Sequence, residues 1–151
     1  SPGEVHTVVL AGMGGETLAS ILACDEKKTA SFKEYIFQPM SRPAALRLEM
    51  ARQGLNIDRE VLVRENQRYY IIIHAVYTGR VYSMSPLEAE IGPVILQKTD
   101  GLEREYQLYW LKKYRRILAG LKYARSGPKN GMQEYQNKIT ELEGLINAGQ
   151  G

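Results

Sequence analysis

The sequence contains little from which a metal centre or a covalent framework could be built. It has one cysteine, Cys24, and two histidines, His6 and His74. A single thiol excludes an internal disulfide and any zinc site made of clustered cysteines. Each histidine lies in an apolar, strand-like run, which points to a core or strand-edge role rather than ligation, so no metal is expected. Long apolar runs are missing too: none approaches the roughly 20 residues that span a bilayer. Ser1-Pro2-Gly3-Glu4 has neither the basic nor the long apolar part of a signal peptide. A cytoplasmic protein without membrane contact is therefore the expectation.

Nor is there a strong excess of one charge, since 20 Lys/Arg and 17 Asp/Glu give a formal net charge of +3. The distribution is uneven, however. Residues 1–97 hold ten basic against eleven acidic side chains, and residues 98–151 hold ten against six. A basic partner surface, if present, is C-terminal. With 44% hydrophobic residues in a chain of 151, one ordinary core can be buried.

The opening run Val8-Val9-Leu10-Ala11 is too short for a helix, ends in Gly12-Met13-Gly14-Gly15, and is followed by Thr17, Leu18, Ile21 and Leu22 at helical spacing. It reads as a buried strand, a tight turn and a helix. Glycines at such a turn let backbone approach a ligand and leave the first helical amides free. They serve turn geometry equally well. After the polar stretch Glu26 to Ser31, Tyr35-Ile36-Phe37-Gln38-Pro39 reads as a second strand stopped by proline. Ser41-Arg42-Pro43 opens the next helix, with Ser41 expected at the cap, and Gly54 ends it. This alternation implies two parallel strands of an α/β sheet.

The pattern then changes to an antiparallel pair. Ile57 to Val63 and Tyr69 to Tyr77 are β-rich and are separated by the short polar segment Arg64 to Arg68. Tyr70 to Val76 is nearly continuous in apolar residues and is expected to be buried on both faces. Residues 81–100 read as a connector, with room for a short helix at Leu87 to Ile91. Beyond them Leu102, Tyr106, Trp110, Tyr114, Ile117, Leu118 and Leu121 form one apolar stripe, and Met132, Tyr135, Ile139, Leu142 and Ile146 form another. The two predict a coiled-coil-like antiparallel helical hairpin over 101–151, turning near Ser126 to Gly131. The expected domains are thus 1–80, a connector at 81–100, and the hairpin at 101–151.

Several short motifs recur in order along the chain: Ala11 to Gly15; Gln38-Pro39 with Leu46-Arg47; Tyr69-Tyr70-Ile71-Ile72; and Tyr82, Glu90 and Gly92-Pro93. Together with the basic hairpin they resemble the bacterial tRNA adenine-22 N1-methyltransferases, which depend on S-adenosylmethionine. The resemblance covers essentially the whole sequence. It implies the second half of a Rossmann-like class I methyltransferase sheet, two parallel strands and then the antiparallel pair, followed by the hairpin. It also implies that family members begin with three further strands that carry the main cofactor motifs, which this sequence lacks. The expectation is a fragment inactive alone. An unpaired apolar strand at Thr7 to Ala11 would then favour a homodimer or swapped assembly. One departure is Met40, where the family usually has asparagine after Gln-Pro.

The resemblance places Ala11, Gly12, Met13, Gly14 and Gly15 between cofactor and target base, with Gln38 and Pro39 as second-rank site residues on the same edge of the sheet. No catalytic residue is assigned. Lys112, Lys113, Arg115, Arg116, Lys122, Arg125 and Lys129, with no acidic residue between Tyr106 and Gln133, are candidates for contacts to tRNA phosphates. Tyr106, Tyr109, Tyr114 and Tyr123 could stack on bases, but aromatic residues at helical spacing are more often core, and they are assigned there. The competing function is a non-catalytic RNA-binding or assembly module that uses the hairpin. A different Rossmann-like nucleotide binder is disfavoured, because the phosphate-binding glycine fingerprint is not seen.

Overall fold

The structure, a computed structural model, describes residues 6–124 and 129–149. The chain divides into two compact units, Ser1–Ile95 and Leu96–Gly151. The first contains β1 (Thr7–Met13), α1 (Gly15–Cys24), α2 (Glu26–Ser31), β2 (Glu34–Pro39), α3 (Pro43–Gln53), β3 (Leu55–Glu65), β4 (Arg68–Tyr77) and α4 (Pro86–Ile91). The second contains α5 (Gly101–Tyr123) and α6 (Lys129–Ala148).

The sheet has the order β1-β2-β4-β3. β1 and β2 are parallel, whereas β4 runs antiparallel to both β2 and β3. The expected α/β sheet of two parallel strands followed by an antiparallel pair is therefore present. Its hairpin turn rests on Asn66 and Gln67, both at positive φ (50° and 66°), the twist that suits a two-residue connection. α3 stops at Gly54, where φ is +78° and the amide donates back to the Ala51 carbonyl.

The polar stretch 26–31 is helical, because the Asp25 side chain accepts from the Lys28 amide and caps it. Two local expectations are corrected. α3 is capped by Arg42 rather than Ser41: Arg42 adopts a left-handed backbone (φ 44°) and makes no side-chain cap bond. β4 is buried on one face only. Ile71, Ile73 and Ala75 are enclosed, while Ile72 is 37% exposed and Val61 on neighbouring β3 is 42% exposed. Leu18, Leu22, Leu46 and Met50 supply the helical side of the core.

The core also contains a buried ion pair. A bulge in β3 between Ile57 and Arg59 shifts the inward-outward alternation, so that Glu60 points inward with Leu62. Its carboxylate meets Arg47 Nε of α3 at 2.8 Å, and both side chains are fully buried. Further hydrogen bonds support both groups. Arg47 donates to the carbonyls of Ala89, Glu90 and Ile91, and the other Glu60 oxygen accepts from the amides of Val94 and Ile95. A buried charge pair is tolerable only when its groups are satisfied in this way. Gly92 (φ +124°) lies against the pair, and a Cβ there would fall 2.3 Å from Glu60 Oε2. The ion pair thus ties the segment after α4 to β3 and α3. α4 itself begins in a capping box, with Ser85 accepting from the Glu88 amide and the Glu88 carboxylate accepting from the Ser85 amide.

In the second unit α5 and α6 pack antiparallel: Tyr114 meets Tyr135, Arg115 meets Glu143, and Leu121 lies beside Gly131. Leu111, Tyr114 and Leu118 of α5 and Ile139, Leu142 and Ile146 of α6 are buried. Lys138 is buried as well, its ammonium over the rings of Tyr114 and Tyr135 and paired with Glu134. Of the residues expected at the turn, 126–131, the last three already belong to α6, and 126–128 lie outside the described residues.

Candidate functional site

At the carboxyl ends of β1 and β2 the chain forms a compact edge of backbone. β1 bulges after Ala11, where Gly12 takes φ +76°. The Gly12 amide donates to Gln38 Oε1 at 3.0 Å, so the side chain of one parallel strand holds the bulge of the other. The other end of the Gln38 amide reaches Met40 Sδ at 3.1 Å. Two backbone bonds then zip the loops together, Met40 N to Met13 O at 2.8 Å and Gly15 N to Ser41 O at 2.7 Å.

The glycines here have different reasons. At Gly15 a Cβ would sit 2.0 Å from the Arg42 carbonyl oxygen, so only glycine permits the approach of the two loops. At Gly14 the nearest atom is the Ser41 hydroxyl at 3.0 Å. At Gly12 nothing lies within 4 Å, and the residue is exposed. Gly12 therefore offers bare backbone to an occupant, the arrangement that close ligand approach requires. Met13 and Gln38 are half-buried and Pro39 is buried, paired with Met13. Ala11 is exposed on the same edge.

The structure thus brings together all seven residues singled out for this edge, places Met40 beside them, and adds the Arg42–Glu16 pair, which the sequence did not mark. Met40 is 50% exposed beside Gln38. Arg42 projects from its left-handed backbone and pairs with Glu16 of α1 at 2.7 Å. Pro43 marked the helix start, but nothing in the sequence marked the strained residue before it.

Of the basic candidates on α5, Lys112, Arg116 and Lys122 are exposed. Lys113 is partly covered, its ammonium 4.5 Å from the centre of the Trp110 ring. Arg115 is paired with Glu143 at 2.5 Å. Arg125 lies outside the described residues, as does the side chain of Lys129. Tyr106 and Tyr114 are core residues as expected, whereas Tyr109 (47% exposed) and Tyr123 (88% exposed) are not. Their positions on α5 turn them away from the seam with α6. His74 is a quarter exposed, its Nδ1 2.5 Å from Asp58 Oδ1. Among the described residues no group of three His, Cys, Asp or Glu could hold a metal, and no helix is long and apolar enough to cross a membrane.

Solved structures share this fold. The B. subtilis M1A22 tRNA methyltransferase TrmK matches with a TM-score of 0.79 at 20% identity, over 97% of this chain and 65% of that one. Streptococcus pneumoniae Sp1610 in complex with S-adenosyl-L-methionine matches with a TM-score of 0.72 at 22% identity, over 95% and 61%. M. capricolum TrmK in complex with S-adenosyl-homocysteine gives 0.70 at 22% identity, over 97% and 63%. The chain therefore spans about three fifths of the length of the structures it matches. A search of curated protein sequences finds no significant match. The family model for TrmK, tRNA (adenine(22)-N(1))-methyltransferase, matches residues 1–144. That match covers nearly the whole sequence, and the chain belongs to the tRNA (adenine(22)-N(1))-methyltransferase family.

Proposed function

We propose that this chain takes part in methylation of N1 of an adenine in tRNA, adenine 22 by its family, with S-adenosylmethionine as methyl donor. The observation that carries the reading is the open backbone at Gly12, held by Gln38 at the carboxyl edge of two parallel strands, where ligands of open α/β sheets bind. The donor supplies a methyl on sulfonium: the carbon–sulfur bond breaks as the carbon–nitrogen bond forms, and the positive charge passes to the methylated base. N1 of adenine already carries a lone pair, so the protein's task is to align and hold rather than to move a proton. Gly12 and Gly14 supply a wall without side chains in the way, Met13 and Met40 supply soft apolar contact, and Gln38 fixes the wall's shape. Gln38 is on this reading a positioning residue, because both ends of its amide are engaged by the protein.

The exposed cations Lys112, Arg116 and Lys122 are assigned to phosphate contacts with the tRNA. The edge at Gly12 is one wall of a site whose other side this chain does not itself enclose. Residues 1–151 alone are accordingly proposed to be inactive. Isothermal calorimetry of the 151-residue chain with S-adenosylmethionine is expected to show no tight binding, and tight binding would show that the wall suffices. β1 ends the sheet with Val9 63% exposed, which supports pairing with a second copy through Thr7 to Ala11. A concentration-independent monomer in analytical ultracentrifugation would contradict that pairing.

The RNA-binding module remains the second reading, favoured by the acid-free stretch of α5. The test that separates the two is cellular. Reverse transcription of tRNA from cells with this gene disrupted should lose the stop that N1-methyladenine causes, and a binding module predicts that the stop persists.

A further inference from the structure

We propose that a groove on α5 lined by Arg115, Leu118, Ala119, Lys122 and Tyr123 is a nucleobase site, in which an unpaired base of the tRNA stacks on the Tyr123 ring while Lys122 and Arg115 meet the flanking phosphates. The inference rests on the reading that the hairpin contacts tRNA, and it adds to that reading a base contact from a residue the sequence assigned to the core.

The aromatic rings of the hairpin divide into two sets. Tyr106, Trp110, Tyr114 and Tyr135 contact one another, and Tyr109, though half-exposed, stacks on Tyr106 and meets Trp110 edge-on. Tyr123 is 88% exposed and contacts no other ring among the described residues. An aromatic ring held on a helix and left to water has both faces free for a planar partner, and stacking on it needs no particular base.

The surroundings of the ring select the partner. The groove is an open depression of about 500 Å³ along one side of α5, room for one base lying against the helix. Leu118, 7% exposed, and Ala119 give it a small apolar floor, suited to the face of a base. Arg115 and Lys122, seven residues apart and so on one side of the helix, flank that floor with charge. Arg115 is shared with Glu143 at 2.5 Å, an exposed pair. Such pairs contribute at most about 1 kcal/mol, so the guanidinium can turn to a phosphate. Lys122 has no ion pair among the described residues. A protein partner would call for a wider apolar surface than one leucine and one alanine, whereas a ring, a small floor and two cations match one stacked nucleotide with its phosphates.

The experiment is fluorescence anisotropy of labelled tRNA with the 151-residue chain and with Tyr123→Ala, Tyr123→Phe and Lys122→Gln, each at several salt concentrations. Tyr123→Ala should weaken binding about tenfold at every salt concentration, the effect expected of one lost stack, and leave the salt slope unchanged. Tyr123→Phe should bind like the wild type, because the ring and not the hydroxyl carries the contact. Lys122→Gln should instead reduce the slope by about 0.7–0.9, one phosphate contact. The exposure of Tyr123 means that no core contact is removed, which far-UV circular dichroism of the variants checks. Wild-type affinity in Tyr123→Ala, with salt-dependent binding by the parent chain, would overturn the nucleobase site and leave the hairpin reading standing. Absence of salt-dependent binding by the parent chain would overturn both.

Discussion

Replacing Glu60 by leucine tests whether the ion pair behind Gly92 organises the first unit. The substitution keeps an apolar volume in the core but removes the carboxylate that faces Arg47 at 2.8 Å and accepts from the amides of Val94 and Ile95. Breaking a buried pair by removing one partner costs about 3–5 kcal/mol, because the remaining charge is left without compensation. Each of the two amides that lose their acceptor adds about 1–3 kcal/mol unless water reaches it. The carbonyls of Ala89, Glu90 and Ile91 still accept from Arg47, which limits the loss. The expected net effect is about 5 kcal/mol, the low end of those contributions taken together, and a large share of the roughly 5–15 kcal/mol that holds a domain together. Urea unfolding followed by far-UV circular dichroism measures it, and hydrogen exchange should show lost protection at Val94 and Ile95 while the amides of α5 and α6 keep theirs. In the double variant Arg47→Met with Glu60→Leu no buried charge remains, so it should be more stable than Glu60→Leu alone, with a coupling of about 2 kcal/mol or more. A Glu60→Leu loss below about 1 kcal/mol, or a double variant with strictly additive losses, would refute the reasoning.

The glycines of the candidate site give a paired prediction. Gly15→Ala should cost about 2 kcal/mol or more, since its Cβ would meet backbone at 2.0 Å, whereas Gly14→Ala meets only a rotatable hydroxyl at 3.0 Å and should cost under about 1 kcal/mol. Thermal melts of both variants check the order, and equal melting temperatures would contradict it. The Arg52 guanidinium beside Glu49 holds that carboxyl below its ordinary 4.5. A carboxyl depressed by folding stabilises above its unfolded value and loses that contribution as pH falls through the folded one. Glu49→Gln should therefore cost under about 1 kcal/mol at pH 7, with the difference vanishing in the acid range below 4.5. A difference that persists well below that range would contradict the assignment.

Much of the fold was legible because its signals are local. The run Val8 to Ala11 closed by glycines, the proline after Gln38 and the glycine after α3 mark element ends whatever surrounds them. Asn66 and Gln67 lie in a polar gap of the right length for a hairpin. The two apolar stripes beyond residue 100 specified a helix pair through their spacing alone. The features that were not legible depend on contacts distant in sequence. A single bulge at Ile57 to Arg59 turns Glu60 from an apparent surface charge into a core residue, and the periodicity of β3 carries no mark of it. Arg47 lies beside Leu46 on the buried side of α3, and its charge is accommodated by Glu60 on β3 and by carbonyls more than forty residues away. Arg42 displaces Ser41 as the cap because the loop must present its backbone to Gly15. Tyr123 shares the spacing of the core aromatics, but it is the last residue of α5 and follows its last buried one, Leu118.

The backbone edge at Gly12 is proposed to form part of the site that methylates N1 of adenine 22 in tRNA. The most direct measurement maps N1-methyladenine by reverse transcription in tRNA from cells in which this gene is disrupted and then restored. The claim predicts that the stop at adenine 22 disappears on disruption, returns with the wild-type gene, and fails to return with a Gly12→Val allele expressed at the same level. A stop that survives disruption, or full restoration by Gly12→Val, would contradict it.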